Sequence, residues 1–322
     1  MSLKFLGANL LLAALSLSWL NSTPAADSLN IYFKTAPPIE QVRPFADPVN
    51  LSILVTGADG RPLERGSIEL RLDAPRAGSW WSTDMPLLEG TRLLELRLPL
   101  RQGRANWKYL MPIRGQYRLF VDAVSEDGRR HSQPFEITVG ENRYKWIALS
   151  GFSLALLFFG FAAGRVFTSA RAASIVLLLV CLGGVEAAMA ADYSAHLDLE
   201  AATVGKPSRV HWRLEGGGEN SPAALTLSIT HLEKEKIVFA VERLAVAGEF
   251  AFDYHFPDGA EYRVTAVAEV PGRGLVNVEK IISVTGVQPP ANAMIPALSY
   301  FLALIALGLV AGRWSKRRGT KK

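Results

Sequence analysis

Apolar positions in this chain follow two patterns. Four segments are nearly unbroken apolar runs, and the stretches between them alternate apolar with polar residues. The runs cover residues 5–20, 146–167, 172–191 and 293–312. About 20 helical residues, at ~1.5 Å each, cross a bilayer core, so the last three runs predict transmembrane helices. The first run is shorter. It follows Lys4 and ends in Asn21, Ser22, Thr23 and Pro24, with Thr23-Pro24-Ala25 offering small residues for cleavage before Ala26-Asp27. That layout predicts a secretory signal peptide over 1–26, a retained N-terminal anchor being the other reading.

The alternating stretches are 27–145 and 192–292. The first carries Asn50-Leu-Ser-Ile-Leu-Val55, Ser67-Ile-Glu-Leu-Arg-Leu72 and Tyr117-Arg-Leu-Phe-Val-Asp122, separated by turn signals such as Gly57-Ala-Asp-Gly60 and Glu126-Asp-Gly128. The second carries Ser208-Arg-Val-His-Trp-Arg-Leu214, Leu225-Thr-Leu-Ser-Ile-Thr-His231, Glu249-Phe-Ala-Phe-Asp-Tyr-His-Phe256 and Glu261-Tyr-Arg-Val-Thr-Ala-Val267. Period-two alternation bounded by Gly, Asp and Pro marks half-buried strands. Roughly seven such strands in about 100 residues predict an immunoglobulin-like β-sandwich in each stretch. The fold class expected is therefore mainly β, with two sandwich ectodomains and three transmembrane helices.

Charge orients the chain. The tail 313–322 holds Arg313, Lys316, Arg317, Arg318, Lys321 and Lys322, and the link 168–171 lies between Arg165 and Arg171. Cationic flanks mark the cytoplasmic side. Both alternating stretches then lie outside, in the periplasm of a bacterial inner membrane, with the C-terminus cytoplasmic. Arg143 and Lys145 are exceptions on the outer side. A basic run directly after a span is a stop-transfer flank, so nucleic acid is not an expected partner.

The chain also repeats itself. Tyr109, Pro112, Tyr117 and Arg118 recur as Tyr254, Pro257, Tyr262 and Arg263 at identical spacing. Gly160 and Gly164 before Arg165 recur as Gly308 and Gly312 before Arg313. Ala25-Ala26-Asp27 recurs as Ala190-Ala191-Asp192, and Ala188-Met189-Ala190 closes the second apolar run as a cleavage site would. The reading is a tandem duplication of signal, ectodomain and anchor, with 172–191 as a former signal sequence. Cleavage after Ala190 stays open. The repeated Pro-x-x-x-x-Tyr-Arg hairpin resembles the small periplasmic β-sandwich proteins of the FixH/YtkA-like group. That resemblance covers one hairpin and the overall plan. It implies a membrane-anchored factor associated with copper-oxidase assembly.

Composition adds limits. The 322 residues are 49% hydrophobic and 20% charged, with a net charge of +5 and one cysteine, Cys181. This is not the composition of a disordered chain. A lone cysteine, itself within the run 172–191, makes no intramolecular disulfide and no thiolate metal set. Glu186 sits toward the end of the same run, near the interface, where a carboxylate needs no functional explanation.

Candidate chemistry is sparse. Strand parity turns His196, His211 and His255 outward, and places His231 on the core-facing side. Imidazoles meeting on one sheet would suit copper or zinc, but no His-x-His or His-x-x-x-His pair pre-forms a site. No metal ligand or cofactor is therefore assigned. Nucleophile motifs, phosphate loops and metalloprotease helices are absent from the sequence, so no enzyme is expected. Trp80-Trp81 reads as a partner anchor or as a plug for the end of the sandwich. Asn50-Leu51-Ser52 fits a glycosylation sequon, but it lies in a predicted strand of a chain with bacterial character. Gly160/Gly164 and Gly308/Gly312 each put two glycines on one helix face, which permits close helix association. The expected function is a non-enzymatic docking or assembly module for a protein partner or membrane complex. The alternative is periplasmic copper handling through the second ectodomain's histidines.

Overall fold

The structure is a computed structural model. It describes residues 29–78, 83–166, 195–199, 201–214, 222–271, 274–288 and 291–319. The expected signal peptide, Trp80-Trp81, the link 168–171, and the run 172–191 with Cys181, Glu186 and Ala190 lie outside the described residues.

Among the described residues the chain is mainly β. It forms fourteen strands in one antiparallel network with a β-sandwich-like arrangement, and two long helices. Strands β1 (Asn30–Ala36), β2 (Val49–Thr56), β3 (Arg65–Asp73), β4 (Arg92–Arg101), β5 (Arg104–Tyr109), β6 (Gly115–Ser125) and β7 (Arg130–Val139) precede helix α1 (Arg143–Val166). Strands β8 (Ala195–Leu199), β9 (Pro207–Leu214), β10 (Pro222–His231), β11 (Lys236–Ala247), β12 (Glu249–His255), β13 (Glu261–Val270) and β14 (Gly274–Ser283) precede helix α2 (Ala291–Gly319).

Alternation decides which face of each strand is buried. In β2, Val49, Leu51, Ile53 and Val55 are buried between the more exposed Asn50, Ser52 and Leu54, and in β13 Tyr262, Val264, Ala266 and Ala268 are buried between the more exposed Arg263, Thr265 and Val267. Each unit then folds the same way. The first pairs β1-β2-β5 in one layer and β7-β6-β3-β4 in the other. The second pairs β8-β9-β12 and β14-β13-β10-β11, which is the same order seven strands later.

The two units are not separate beads. Strand β5 pairs with β11, aligning Tyr109 with Phe239 and Trp107 with Val241. Strand β4 pairs with β12, aligning Leu94 with Tyr254 and Leu96 with Phe252. The short layer of each unit is thus extended by the long layer of the other. The Leu110 amide carries the seam one step further by donating to the Val238 carbonyl at 2.9 Å. Between the layers, Phe239 and Phe252 stack with centroids 4.8 Å apart, and Phe239 lies 5.9 Å from Tyr254. All three are buried.

Charged side chains clamp the rim of this seam. Lys108 Nζ lies 2.6 Å from Glu242. Lys236 donates to the carbonyls of Phe45 and Ala46, and Lys234 lies 3.9 Å above the Phe45 ring.

The repeated Pro-x-x-x-x-Tyr element acquires a physical role. The buried Tyr117 hydroxyl accepts a hydrogen bond from the Ile113 amide at 2.9 Å and donates back to the Ile113 carbonyl at 2.5 Å. This closes the turn before β6 in the manner of a tyrosine corner. Tyr262 occupies the same place before β13. Its hydroxyl donates to the carboxylate of Asp258 rather than into a backbone pair alone.

Candidate functional site: paired helices beneath the seamed sheets

Helices α1 and α2 are both long and apolar enough to cross a membrane. They lie side by side in the same direction, since Phe152 packs edge-on against Phe301 at 5.4 Å and Lys316 reaches the Arg165 carbonyl at 3.1 Å. Their contact is built on glycine. A Cβ placed on Gly160 would stand 2.5 Å from the Ile305 carbonyl oxygen and 3.3 Å from the Gly308 Cα. A Cβ on Gly308 would stand 2.9 Å from the Phe161 nitrogen. Gly164 faces Leu309, and Gly312 faces Phe161 and Arg165. The four glycines therefore form one contact between the helices, with backbone against backbone. This is the geometry in which small residues permit dispersion contacts that larger side chains would block. One polar link joins the pair nearer the sheets, where Ser153 Oγ and Tyr300 Oη lie 3.2 Å apart.

The helix pair is fixed to the sheets at α1. Lys145, in the first turn of α1, forms an ion pair with Asp84 of the loop between β3 and β4. A cation that ran against the charge asymmetry of the sequence is therefore neutralised by the β-rich unit above it.

His196 and His211 share one face of the β8–β9 pair as diagonal neighbours, and His255 stands farther along the sheet on β12. His196 on β8 is exposed. His211 on β9 stands opposite Asp198 and 3.5 Å from the Glu249 carboxylate. His255 departs from its expected exposure, being only 6% exposed. Strand parity does turn it from the core of its own unit, but the first unit lies there. His255 lines a cavity of about 460 Å³ together with Asp73 and Arg92 from the other side of the seam. Its Nδ1 is buried without a hydrogen-bond partner. Burial pushes its imidazole down to about 4, with Asp253 opposing and Arg92 adding to the shift. Among the described residues no group of three or more histidine, cysteine or carboxylate side chains is placed to hold a metal ion.

His231 is fully buried at the end of β10. Its Nδ1 accepts from the Lys234 amide at 3.3 Å, which leaves Nε2 to donate toward Asp258 at 3.2 Å. Asp258 also receives Lys234 Nζ at 2.5 Å and the Tyr262 hydroxyl. Burial would raise Asp258, but the hydrogen bonds from Lys234 and Tyr262 hold it below the usual carboxylate range. This network was not legible in the sequence. Its only local signal is the Pro-Asp of the second repeat, where the first repeat has Pro-Ile.

No protein-family model matches the sequence, and no curated protein does. Solved structures give likenesses of shape. The PmoD soluble domain from Methylocystis sp. ATCC 49242 is 16% identical over 35% of this chain and 92% of its own, with a TM-score of 0.25. An ice-binding adhesin of an Antarctic bacterium is 10% identical over 81% of this chain, with a TM-score of 0.23. The alpha-2-macroglobulin of E. coli is 12% identical over 81% of this chain, with a TM-score of 0.26. The chain spans 49% of the adhesin and 17% of the macroglobulin. Likenesses of this size transfer no function.

Proposed function

We propose that this chain is a non-catalytic protein of a bacterial cytoplasmic membrane. It holds two immunoglobulin-like sandwiches in the periplasm as a docking or assembly module for another protein or membrane complex. The carrying observation is the parallel, glycine-packed pairing of α1 and α2 beneath two units that share strand pairings across a seam. Such an arrangement presents both units as one rigid body on a two-helix stem.

Parallel helices also bear on topology. Val166 closes α1 at the far end of the helix pair, whereas Ala195 opens β8 in the second unit. The apolar run 172–191 has the length to cross a bilayer, so we propose it as the third span. The identical strand order of the two units and the paired tyrosine corners support a tandem duplication of an immunoglobulin-like fold.

Photo-crosslinkers on the outer sheet faces, at Arg97 and Arg263, test the docking reading in intact cells. The expected result is a discrete adduct heavier than the chain from at least one of these sites. A chain that forms no adduct at either site, and runs alone after gentle solubilisation, contradicts the reading.

A further inference from the structure

A cavity lies at the end of the first unit from which α1 emerges. Its volume is about 660 Å³, and its lining includes Val139 and Glu141, the residues just before Arg143 opens α1. The helix has 24 residues, about 36 Å at ~1.5 Å each, against a hydrocarbon core of about 30 Å. Its first turn, with exposed Tyr144 and Trp146, therefore falls at headgroup depth. The ion pair between Lys145 and Asp84 holds the rim there, because Asp84 adjoins the lining residue Thr83.

Three arginines line this cavity: Arg76, Arg114 and Arg118. Arg114 is taken by Glu141, and the other lining carboxylate, Glu136, accepts from the Gln116 amide at 2.5 Å. Among the described residues Arg76 and Arg118 have no ion pair within 4 Å. Arg118 stands opposite Glu136 on β7 and Asp73 on β3 without closing an ion pair. Three arginines against two glutamates leave the lining a net charge of +1, and a concave cationic site at the level of lipid headgroups matches a phosphodiester. Guanidinium forks bind phosphate oxygens in pairs, and charge-assisted bonds of this kind are the stronger ones.

We propose that this cavity binds the phosphodiester headgroup of an anionic phospholipid of the outer leaflet, with Arg76 and Arg118 as its phosphate ligands. The proposal rests on the membrane reading above. Lipid held there would fix the first unit's tilt against the bilayer, in addition to the hold of the helices themselves.

The test is native mass spectrometry of the full chain in detergent, titrated with dihexanoyl-phosphatidylglycerol, dihexanoyl-phosphatidylcholine or inorganic phosphate. The phosphatidylglycerol is expected to bind, and to weaken about tenfold or more in the R76Q/R118Q variant, as loss of charge-assisted bonds implies. Glu141→Gln frees Arg114 and is expected to tighten binding. Both variants alter the cavity wall, and opposite signs from them exclude a general loss of folding. Phosphatidylglycerol binding equal to that of phosphatidylcholine, or unchanged in R76Q/R118Q, overturns the proposal. Inorganic phosphate binding as tightly as the lipid overturns the lipid as occupant. Alkaline carbonate extraction of membranes is scored separately. A chain retained in the pellet without headgroup selectivity loses this proposal alone, whereas a chain released by carbonate loses the membrane reading itself.

Discussion

Tyr109 and Tyr254 hold equivalent positions in the two units and meet across the seam, their rings 6.3 Å apart at 64°. Both are about 1% exposed, and burial pushes both phenols above their ordinary range. A contact between equivalent residues is what a two-fold pairing of similar units produces. It makes the stability of each unit depend on the other.

Removing one ring should therefore loosen both units. Tyr254→Ala is expected to destabilise the fold by about 3–5 kcal/mol, the usual cost of emptying an aromatic site in a packed core. Hydrogen exchange on the detergent-solubilised chain checks this. Protection should fall in β2 and β5 of the first unit as well as in β9 and β12 of the second. A loss confined to the second unit would mean that the seam transmits no stability.

The two tyrosine corners should differ in cost. Tyr117→Phe removes hydrogen bonds to neutral backbone and is expected to cost about 1–2 kcal/mol. Tyr262→Phe takes a donor from the partly buried Asp258 carboxylate, so a larger loss is expected. Because Asp258 is held low in the folded state, its contribution is present above the ordinary carboxylate range and is lost as pH falls below it. Acid unfolding of Tyr262→Phe should accordingly begin at a higher pH than that of the parent. Equal costs and equal acid midpoints would contradict this.

His255 predicts a separate pH window. Its folded imidazole titrates near 4, against about 6.5 when unfolded. The folded chain then binds fewer protons than the unfolded chain between these values. Stability is full above about 6.5 and falls as pH drops toward 4, by up to about 1.4 kcal/mol per unit. Denaturant unfolding at a series of pH values should show that slope in the parent, and a flatter one in His255→Gln.

The helix contact gives a sterically direct test. Gly308→Leu would drive a side chain into the backbone of Leu157 and Phe161. In a Cys181→Ser background, the pair Ser153→Cys and Tyr300→Cys should form an oxidative crosslink within one chain. Adding Gly308→Leu should abolish it, while Ile147→Leu, on an exposed position of α1, should leave it intact.

Much of this arrangement was legible in the residues. Val49 to Thr56 and Glu261 to Val270 alternate so cleanly that burial of one face dictates a strand, and the uniform apolarity of α1 and α2 dictates long helices. The seam was not legible. Phe252 and Tyr254 read as ordinary inward residues, and nothing in local alternation says that the free backbone edge of β12 finds Leu94 and Leu96. For the same reason His255 read as exposed, because parity names the face of a strand but not what covers it. The clamp of Lys236 on the Phe45–Ala46 carbonyls is equally non-local, joining residues from opposite halves of the chain. The spacing of Gly160 and Gly308 in the sequence offered a packing face without naming its partner.

The proposed function requires both units to lie on one side of the membrane above a parallel helix pair, and cysteine accessibility in intact cells measures this directly. In the Cys181→Ser background, single cysteines at Glu126 and Glu233 occupy the β6–β7 and β10–β11 turns. Ser315→Cys reports the far end of α2. An impermeant thiol reagent should label both turns without permeabilisation, and position 315 only after it. Labelling of the two turns from opposite sides of the membrane would contradict the seam, the helix pairing and the function built on them.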